Sequence, residues 1–456
     1  MPSVPSLPPA PPWKPAPLRL WKVHRRGMLN FLSDLARQHG DFVRLHVGRP
    51  MCLVTDPEAI RKILVTDAGK FVKSHVLKGT KQTLGDGLLT SDGELHKTQR
   101  KLIAPAFHAQ KVKAYADDFV AQATRMADGW RSGQTLDVGH AMTELTLRVV
   151  TRSLFGTEIE EDIAPIGHDM ETIIKMFERT RSPLAGLLNA LPLPANRRFK
   201  AAVRRLDERV LGMIEARKAA GTEDRFDFLS LLLMAHGEGG SMSRQQVRDE
   251  AVTLFMAGHE TTANALIWTW LLLAEHPDVE RTMHAELDRV LAGRAPTADD
   301  VMRLKYTRAV VAESMRLRPP AWIIARLCGE PYDVGPYRVP AGTTLLMPQF
   351  IVHRDPRWWP DAEAFKPERW LADTADRVPA DTTPDGSARP KYAYFPFGGG
   401  PRSCVGEPFA WLEAITLLAT LAQRFRLTRA DDSPVEMFPT ITLRPKNAVR
   451  MTVHAR

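Results

Sequence analysis

The sequence predicts a mainly α protein with a small β portion. Three observations carry that reading. From about residue 94 to 320 apolar residues recur at helical spacing, broken only by turn residues near 155–165, 182–196 and 236–243. Strand-like alternation is confined to FVRLHVGRPMCLVTD (42–56), YDVGPYRVPAGTTLLM (332–347) and the last fifteen residues. No period of 20–50 residues repeats, so the helices belong to one body rather than to a solenoid.

Composition sets the outer limits. The 456 residues are 44% hydrophobic and 25% charged, an ordinary balance for a globular protein and too apolar for a disordered one. The net charge of +9 is spread too thinly for a nucleic-acid surface, but it favours anionic partners. The three cysteines, Cys52, Cys328 and Cys404, are odd in number, far apart and in no CxxC pair. That excludes a disulfide framework and a zinc ribbon and points to a reducing, cytoplasmic setting.

Taken in order, residues 1–27 form a proline-rich lead. The first twenty residues hold eight prolines, which excludes a signal peptide or membrane-anchor helix there, although such a hinge could follow an anchor this chain lacks. MLNFLSDLARQHG (28–40) has helical spacing and ends on Gly40, a C-cap. A β-hairpin follows, split by Gly48, Arg49 and Pro50. Inside the helical run, LAGLLNALPLPANRRFK (184–200) reads as a helix–loop–helix able to act as a lid. The most apolar stretch, ALIWTWLLLA (265–274), is about half the length that spans a bilayer, so a soluble protein is expected. Residues 373–392 are rich in Asp, Thr and Pro and read as a surface loop. We expect a single domain over 28–456.

The most informative stretch is FPFGGGPRSCVG (395–406). A lone cysteine is most often a small buried hydrophobe. A phosphate loop would need Gly-Lys-Ser/Thr where Arg-Ser-Cys stands, and the dinucleotide fingerprint lacks a glycine at 403. A nucleophilic cysteine would need an orienting histidine, and none lies nearby in sequence. A metal-ligating thiolate suits the context better. Glycines let the backbone turn tightly and approach a flat cofactor, and the helix EPFAWLEAITLLATLAQRF begins just beyond Cys404, where its dipole favours negative sulfur.

Phe397, Gly400, Arg402, Cys404 and Gly406 stand at the spacing of the haem-binding signature, and the chain resembles the cytochrome P-450 family of haem-thiolate monooxygenases, soluble bacterial type. The resemblance covers residues 30 to 456 or so and implies the family's fold, a helical triangular prism around a buried haem b with a small β portion. It makes Cys404 the axial iron ligand, pairs Arg402 with a haem propionate, and sets Phe397 over the sulfur. A thiolate ligand pushes electron density onto the iron and favours O–O cleavage.

Three further strings carry the same resemblance. DEAVTLFMAGHETTANALIWTW (249–270) has a weak, polar centre, and its Ala257-Gly258-His259-Glu260-Thr261-Thr262 is similar to the family's oxygen-activation motif. There a local break in the helix opens a groove, Thr261 donates a hydrogen bond in oxygen activation, Glu260 relays protons, and Thr262 has a lesser claim. ESMRLRPP and FKPERW resemble the buried structural network of Glu313, Arg316 and Arg369, with Phe365 and Pro367 setting the turn. His96 and Arg100, four apart in DGELHKTQRKLIAP, look like the propionate clamp of soluble members, and Arg326 occupies another matching position.

The implied activity is splitting of molecular oxygen and hydroxylation or epoxidation of an apolar small molecule such as a fatty acid or terpenoid. Family members with strings like His353-Arg354-Asp355-Pro356 often handle such molecules, an analogy at the level of the fold that leans the reading towards a long-chain or terpenoid substrate. The resemblance places substrate contacts on Val76–Leu88, Met176–Leu188, Ala257, Trp322–Ile324 (including Ile323) and Met437–Ile441 (including Phe438). Electrons would come ultimately from NAD(P)H. The chain ends 52 residues after Cys404, which leaves no fused reductase, so a separate acidic ferredoxin or flavodoxin and its reductase are expected on a basic face around HKTQRKL. No nucleic acid and no membrane anchor are expected, and the protein is read as a monomer. The rival readings are a haem-thiolate peroxygenase or isomerase, against which Glu260 and Thr261 stand, and a non-enzymatic haem-binding sensor.

Overall fold

Apolar residues alternate with polar ones from Val43 to Val47 in the sequence of the first hairpin: Phe42–Val47 pairs antiparallel with Arg49–Val54, from Phe42 opposite Val54 to Val47 opposite Arg49. The computed structural model describes residues 7–10, 27–47, 49–158, 163–179, 188–189, 191–220, 227–235, 242–371 and 389–456. The longer helices are α1 (Met28–His39), α2 (Gly93–Ile103), α3 (Ala116–Gly129), α4 (Val138–Phe155), α5 (Ile163–Arg179), α6 (Pro194–Ala219), α7 (Arg244–Glu275), α8 (Pro277–Leu291), α9 (Lys305–Leu317) and α10 (Glu407–Ala422). The strands are β1 (Phe42–Val47), β2 (Arg49–Val54), β3 (Phe71–Lys73), β4 (Thr135–Asp137), β5 (Ile324–Cys328), β6 (Tyr332–Val334), β7 (Tyr337–Val339), β8 (Thr344–Met347), β9 (Phe425–Arg429), β10 (Met437–Pro439), β11 (Leu443–Pro445) and β12 (Arg450–Ala455).

These elements form two compact units. The first draws on the described residues of Met1–Lys78, Arg316–Ala364 and Ala380–Cys404, the second on those of Gly79–Met315, Phe365–Pro379 and Val405–Arg456. The first unit is built on a five-stranded sheet in the order β1-β2-β8-β5-β3, where β2 and β8 run parallel and the other neighbours antiparallel. Cys52, Val54, Ile60, Leu345, Met347, Tyr392 and Phe395 share its core. Strands β6 and β7 form a separate hairpin.

The second unit is helical. Ser243 and Gln246 close a reciprocal capping box at the start of α7, which then runs 32 residues without interruption. Helix α10 is buried from Leu412 to Ala422, hence its all-apolar sequence. Helix α4 lies against α7 so closely that a Cβ on Gly258 would sit 3.0 Å from Val150 Cγ2. A three-stranded sheet, β4-β12-β9, and the β10-β11 hairpin complete the unit.

The helix ending on Gly40 is present, with Gly40 at φ 82 donating its N–H to Ala36 O. Strands β3, β4, β5, β9 and β10 go beyond the sequence reading, because three to five residues give alternation too little length to register. No helix among the described residues is long and apolar enough to cross a membrane. The stretch 265–273 is instead buried within α7. Most of the proline-rich lead, residues 184–187 and 190 of the proposed lid and 373–388 of the polar loop lie outside the described residues.

Candidate functional site

In the first unit the glycine-rich stretch folds into consecutive tight turns. Gly398 N donates to Phe395 O at 2.9 Å, Ser403 N to Gly400 O at 3.0 Å, and Cys404 N to Phe397 O at 2.9 Å. Gly398 (φ 74) and Gly400 (φ 67) take the left-handed backbone that only glycine adopts at little cost. Two of the glycines also answer to protein packing, where the sequence suggested tight turning and a cofactor's approach. A Cβ on Gly400 would lie 2.0 Å from Leu64 O, and one on Gly399 would lie 2.3 Å from the Tyr392 hydroxyl. The loop ends on Cys404, which is exposed, whereas Cys52 and Cys328 are buried with thiols pushed up to about 12 by desolvation. Arg402 and Phe397 are half-buried on the same loop.

A buried frame holds this loop from behind. Arg316, fully buried, donates to His353 O (2.9 Å), Ala362 O (2.6 Å) and Ala364 O (3.0 Å), and its guanidinium lies 5.1 Å from the Trp359 ring centre. His353 Nε2 accepts from Phe395 N at 3.0 Å, and Gln349 Nε2 donates to Phe395 O at 3.0 Å. The sequence reading used His353 only as part of an analogy about substrates; here it carries the entry to the cysteine loop. Arg326, on β5, is buried, as is Trp322, while Ile323 is half-buried and Val76 is exposed.

In the second unit α7 supplies a window. From Asp249 to Leu273 every residue is buried except Ala257, Gly258, Glu260 and Thr261. The helix does not break there, contrary to what the family motif suggested. Thr261 Oγ1 donates back to Ala257 O at 2.9 Å, a local bond that leaves the helix continuous. Glu260 Oε1 accepts from Thr442 Oγ1 at 2.6 Å, and Asn264 Nδ2 donates to Glu260 O at 2.9 Å. Burial raises the Glu260 carboxyl, with the Thr442 bond and Arg444 pulling the other way. His259 is buried, pushed down to about 4 by desolvation, and its Nδ1 bonds Phe255 O at 2.8 Å, which makes it a structural residue. Thr262 turns from the window and donates to Glu413 Oε2 at 2.9 Å; burial pushes that carboxyl up to about 8.

His96, buried, and Arg100, half-buried, share a face of α2. Leu88 and Met176 are buried and Phe438 is half-buried. Gly406 is the N-cap of α10, and its carbonyl accepts from Ala410 N at 2.9 Å. Glu313, fully buried, accepts from Lys366 N (3.0 Å), Arg369 Nε (2.9 Å) and Trp370 Nε1 (2.8 Å). Thus Glu313 and Arg369 meet, and Arg316 bonds the carbonyls named above. Sequence reasoning missed Glu413, Thr442 and Gln349, which act through partners remote in the chain, and Asn264, whose Nδ2 reaches Glu260 O locally and the remote Thr442 Oγ1 at 3.3 Å.

The sequence profile of the family described as "Cytochrome P450" matches residues 8–451. The chain belongs to the cytochrome P450 family. It is 40% identical over 416 residues to cyclooctat-9-en-7-ol 5-monooxygenase and 38% over 422 residues to cyclooctatin synthase, both of Streptomyces melanosporofaciens. These matches cover 90% and 92% of this chain and 86% and 89% of the relatives. Pentalenene oxygenase of Streptomyces avermitilis is 32% identical over 441 residues, covering 96% of this chain and 94% of the relative. The crystal structure of a cytochrome P450DA heme domain matches with a TM-score of 0.84 at 27% identity, over 99% of this chain and 98% of that one. This cytochrome P450 is therefore a monooxygenase of mainly α fold whose cofactor is haem b, with electrons derived from NAD(P)H through redox partners. The donor set fits that group: an exposed cysteine ends a loop that carries three consecutive glycines, a continuous helix exposes small and polar residues, and Arg402, Arg326 and Arg100 are cations suited to carboxylates, with His96 able to offer a ring N–H.

Proposed function

We propose that this cytochrome P450 hydroxylates or epoxidises a terpenoid rather than a fatty acid. Two relatives are named as oxygenases of pentalenene, an alkene by its name, and of cyclooctat-9-en-7-ol, an alkenol. Buried Leu88, Met176 and Trp322, with half-buried Ala257, Ile323 and Phe438, offer apolar contacts suited to such a molecule. Val76, exposed, is the weakest of the substrate-lining assignments.

Haem, when bound, supplies the oxidising chemistry through its iron. Cys404 is assigned as the iron's thiolate, Phe397 as its cover and Gly406 as the turn that follows. Arg402, Arg326, His96 and Arg100 are assigned as the partners of the propionates. Glu260, raised by burial, holds and releases a proton nearer neutral pH than an exposed glutamate does, which suits a relay. Thr261 holds its proton at Oγ1, and donating it outward requires a χ1 rotation that gives up the 2.9 Å bond to Ala257 O. Glu313, Arg316 and Arg369 position the loop and its surroundings and take no part in the chemistry. The rest of the reading is a single domain over 28–456, working as a cytoplasmic monomer with an acidic ferredoxin or flavodoxin and its reductase.

The exposed Cys404 at the end of its loop carries the assignment. The test is the carbon-monoxide difference spectrum of the reduced protein beside Cys404→Ala, followed by turnover of terpenoid alkenes against long-chain fatty acids. A strongly red-shifted Soret band in the parent that is lost in Cys404→Ala, with preferential terpenoid turnover, bears it out. An unchanged band in the variant overturns the ligand, and preferential fatty-acid turnover overturns the substrate.

A further inference from the structure

Two adjacent carboxylates of α7, Asp249 and Glu250, are buried, and both accept hydrogen bonds from the backbone of one loop. Asp249 Oδ2 takes Asp86 N at 2.8 Å, and Glu250 Oε2 takes Leu88 N at 2.9 Å. The loop fits tightly over them. A Cβ on Gly85 (φ 55) would lie 2.1 Å from the Asp249 carboxylate, and one on Gly87 would lie 2.2 Å from Thr253 Oγ1 and 2.7 Å from Asp249 O. Gln245 Nε2 (2.8 Å) and Arg248 Nη1 (2.9 Å) fix the Asp249 carboxylate further.

The other side of the same loop is tied to α2. Gln99, placed between His96 and Arg100, donates through Nε2 to Asp86 O at 2.6 Å and accepts from Ser91 Oγ at 2.5 Å. Residues 85–91 therefore bridge the helix of the proposed propionate clamp and the helix of the open window. Glu250 and Ala257 are seven residues apart, two turns of α7, so they share a face about 10 Å apart along the axis. Thr261, one turn further, continues that face.

We propose that Asp249 and Glu250 are specificity-determining positioning residues: by holding the amides of Asp86 and Leu88 they set where Leu88 stands relative to the Ala257–Thr261 window, and so which substrates and which substrate carbons are accepted. They touch no reacting atom and act through the loop. The inference rests on the reading of Leu88 as a substrate-facing residue.

The test compares Glu250→Ala with Glu250→Gln, whose amide oxygen still accepts from Leu88 N, and adds Gly87→Ala, which displaces the loop from the same anchor. Imidazole serves as a small iron-binding probe and 4-phenylimidazole as a bulky one, read by spectral titration of the haem-loaded enzyme after the carbon-monoxide band has been checked. Glu250→Ala and Gly87→Ala are expected to keep the band and the imidazole affinity, weaken 4-phenylimidazole about tenfold, and spread the product positions of whichever terpenoid is turned over. Glu250→Gln is expected within about twofold of the parent. Equal behaviour of Glu250→Ala and Glu250→Gln, equal loss of both azoles, or parent-like binding in Glu250→Ala overturns the proposal. If Glu250→Ala does not fold, Gly87→Ala decides by the same readings. Leu88→Ala separates the two levels: parent-like 4-phenylimidazole binding in that variant sinks the reading of Leu88 as substrate-facing, whereas altered binding there beside a parent-like Glu250→Ala sinks only the anchoring role.

Discussion

Thr262 Oγ1 donates to Glu413 Oε2 at 2.9 Å and so joins α7 to α10 inside the second unit. Glu413 is fully buried in a helix otherwise apolar from Leu412 to Leu418 save for Thr416, and burial pushes its carboxyl up to about 8. A neutral carboxyl is the form that this interior tolerates.

That shift makes stability depend on pH with a definite sign. Below the unfolded value of 4.5 both states are protonated and Glu413 costs nothing. As pH rises, the unfolded chain ionises first, so the contribution falls away up to about 8 and is flat beyond. Glu413→Gln is expected to remove this decline, gaining on the parent by roughly 2 kcal/mol or more between pH 5 and 8. Thermal unfolding midpoints of both proteins across that range test it; parallel curves would show that Glu413 titrates normally.

The window residues make a prediction about electrons rather than stability. Thr261→Ala removes the only hydroxyl in the half-buried stretch Ala257, Gly258, Glu260 and Thr261. Product formed per NAD(P)H consumed is expected to fall about tenfold or more, with hydrogen peroxide rising to match, while Thr261→Ser stays close to the parent. Glu260→Gln should flatten the alkaline limb of turnover, because a raised carboxyl stops delivering protons as pH climbs through its value. Unchanged coupling in Thr261→Ala would remove both residues from the relay.

What the sequence revealed and what it hid differ in kind. The cysteine loop, the polar centre of α7 and the Glu313–Arg369 pair were legible because each lies in a short string whose residue types are dictated locally. Glycine stands where φ is positive, cysteine where sulfur is wanted, and a carboxylate is met by a turn carrying arginine. The Thr262–Glu413 and Glu260–Thr442 bonds join residues 151 and 182 apart, and no local periodicity encodes such pairs. Gly399 shows the limit even within a legible motif. Its extended backbone (φ −172) suits any residue, and it is the Tyr392 hydroxyl that excludes a side chain.

Gly399 and Gly400 should therefore respond differently to alanine. Gly400→Ala combines a left-handed φ of 67 with a Cβ 2.0 Å from a backbone oxygen, Leu64 O, so roughly 3 kcal/mol of stability and most of the haem content are expected to be lost. Gly399→Ala meets only a side chain, and Tyr392→Leu in the same protein should recover most of its unfolding temperature. Failure of that rescue would move the constraint at Gly399 from Tyr392 to the backbone.

Glu313 offers the sharpest test of the structural network. Its carboxylate is fully buried and holds Lys366 N, Arg369 Nε and Trp370 Nε1 at 3.0, 2.9 and 2.8 Å. Glu313→Leu leaves the Arg369 charge and two N–H donors without that acceptor, for an expected loss of about 3–5 kcal/mol. Trp370→Phe removes one donor and should cost only about 1 kcal/mol. Because Arg369 and Glu313 compensate one another, Glu313→Leu with Arg369→Leu should cost less than the two single losses added together. Denaturant midpoints for the three variants and the double variant measure the coupling. An additive result would mean that Glu313 serves the backbone turn at Lys366 and owes little to the arginine.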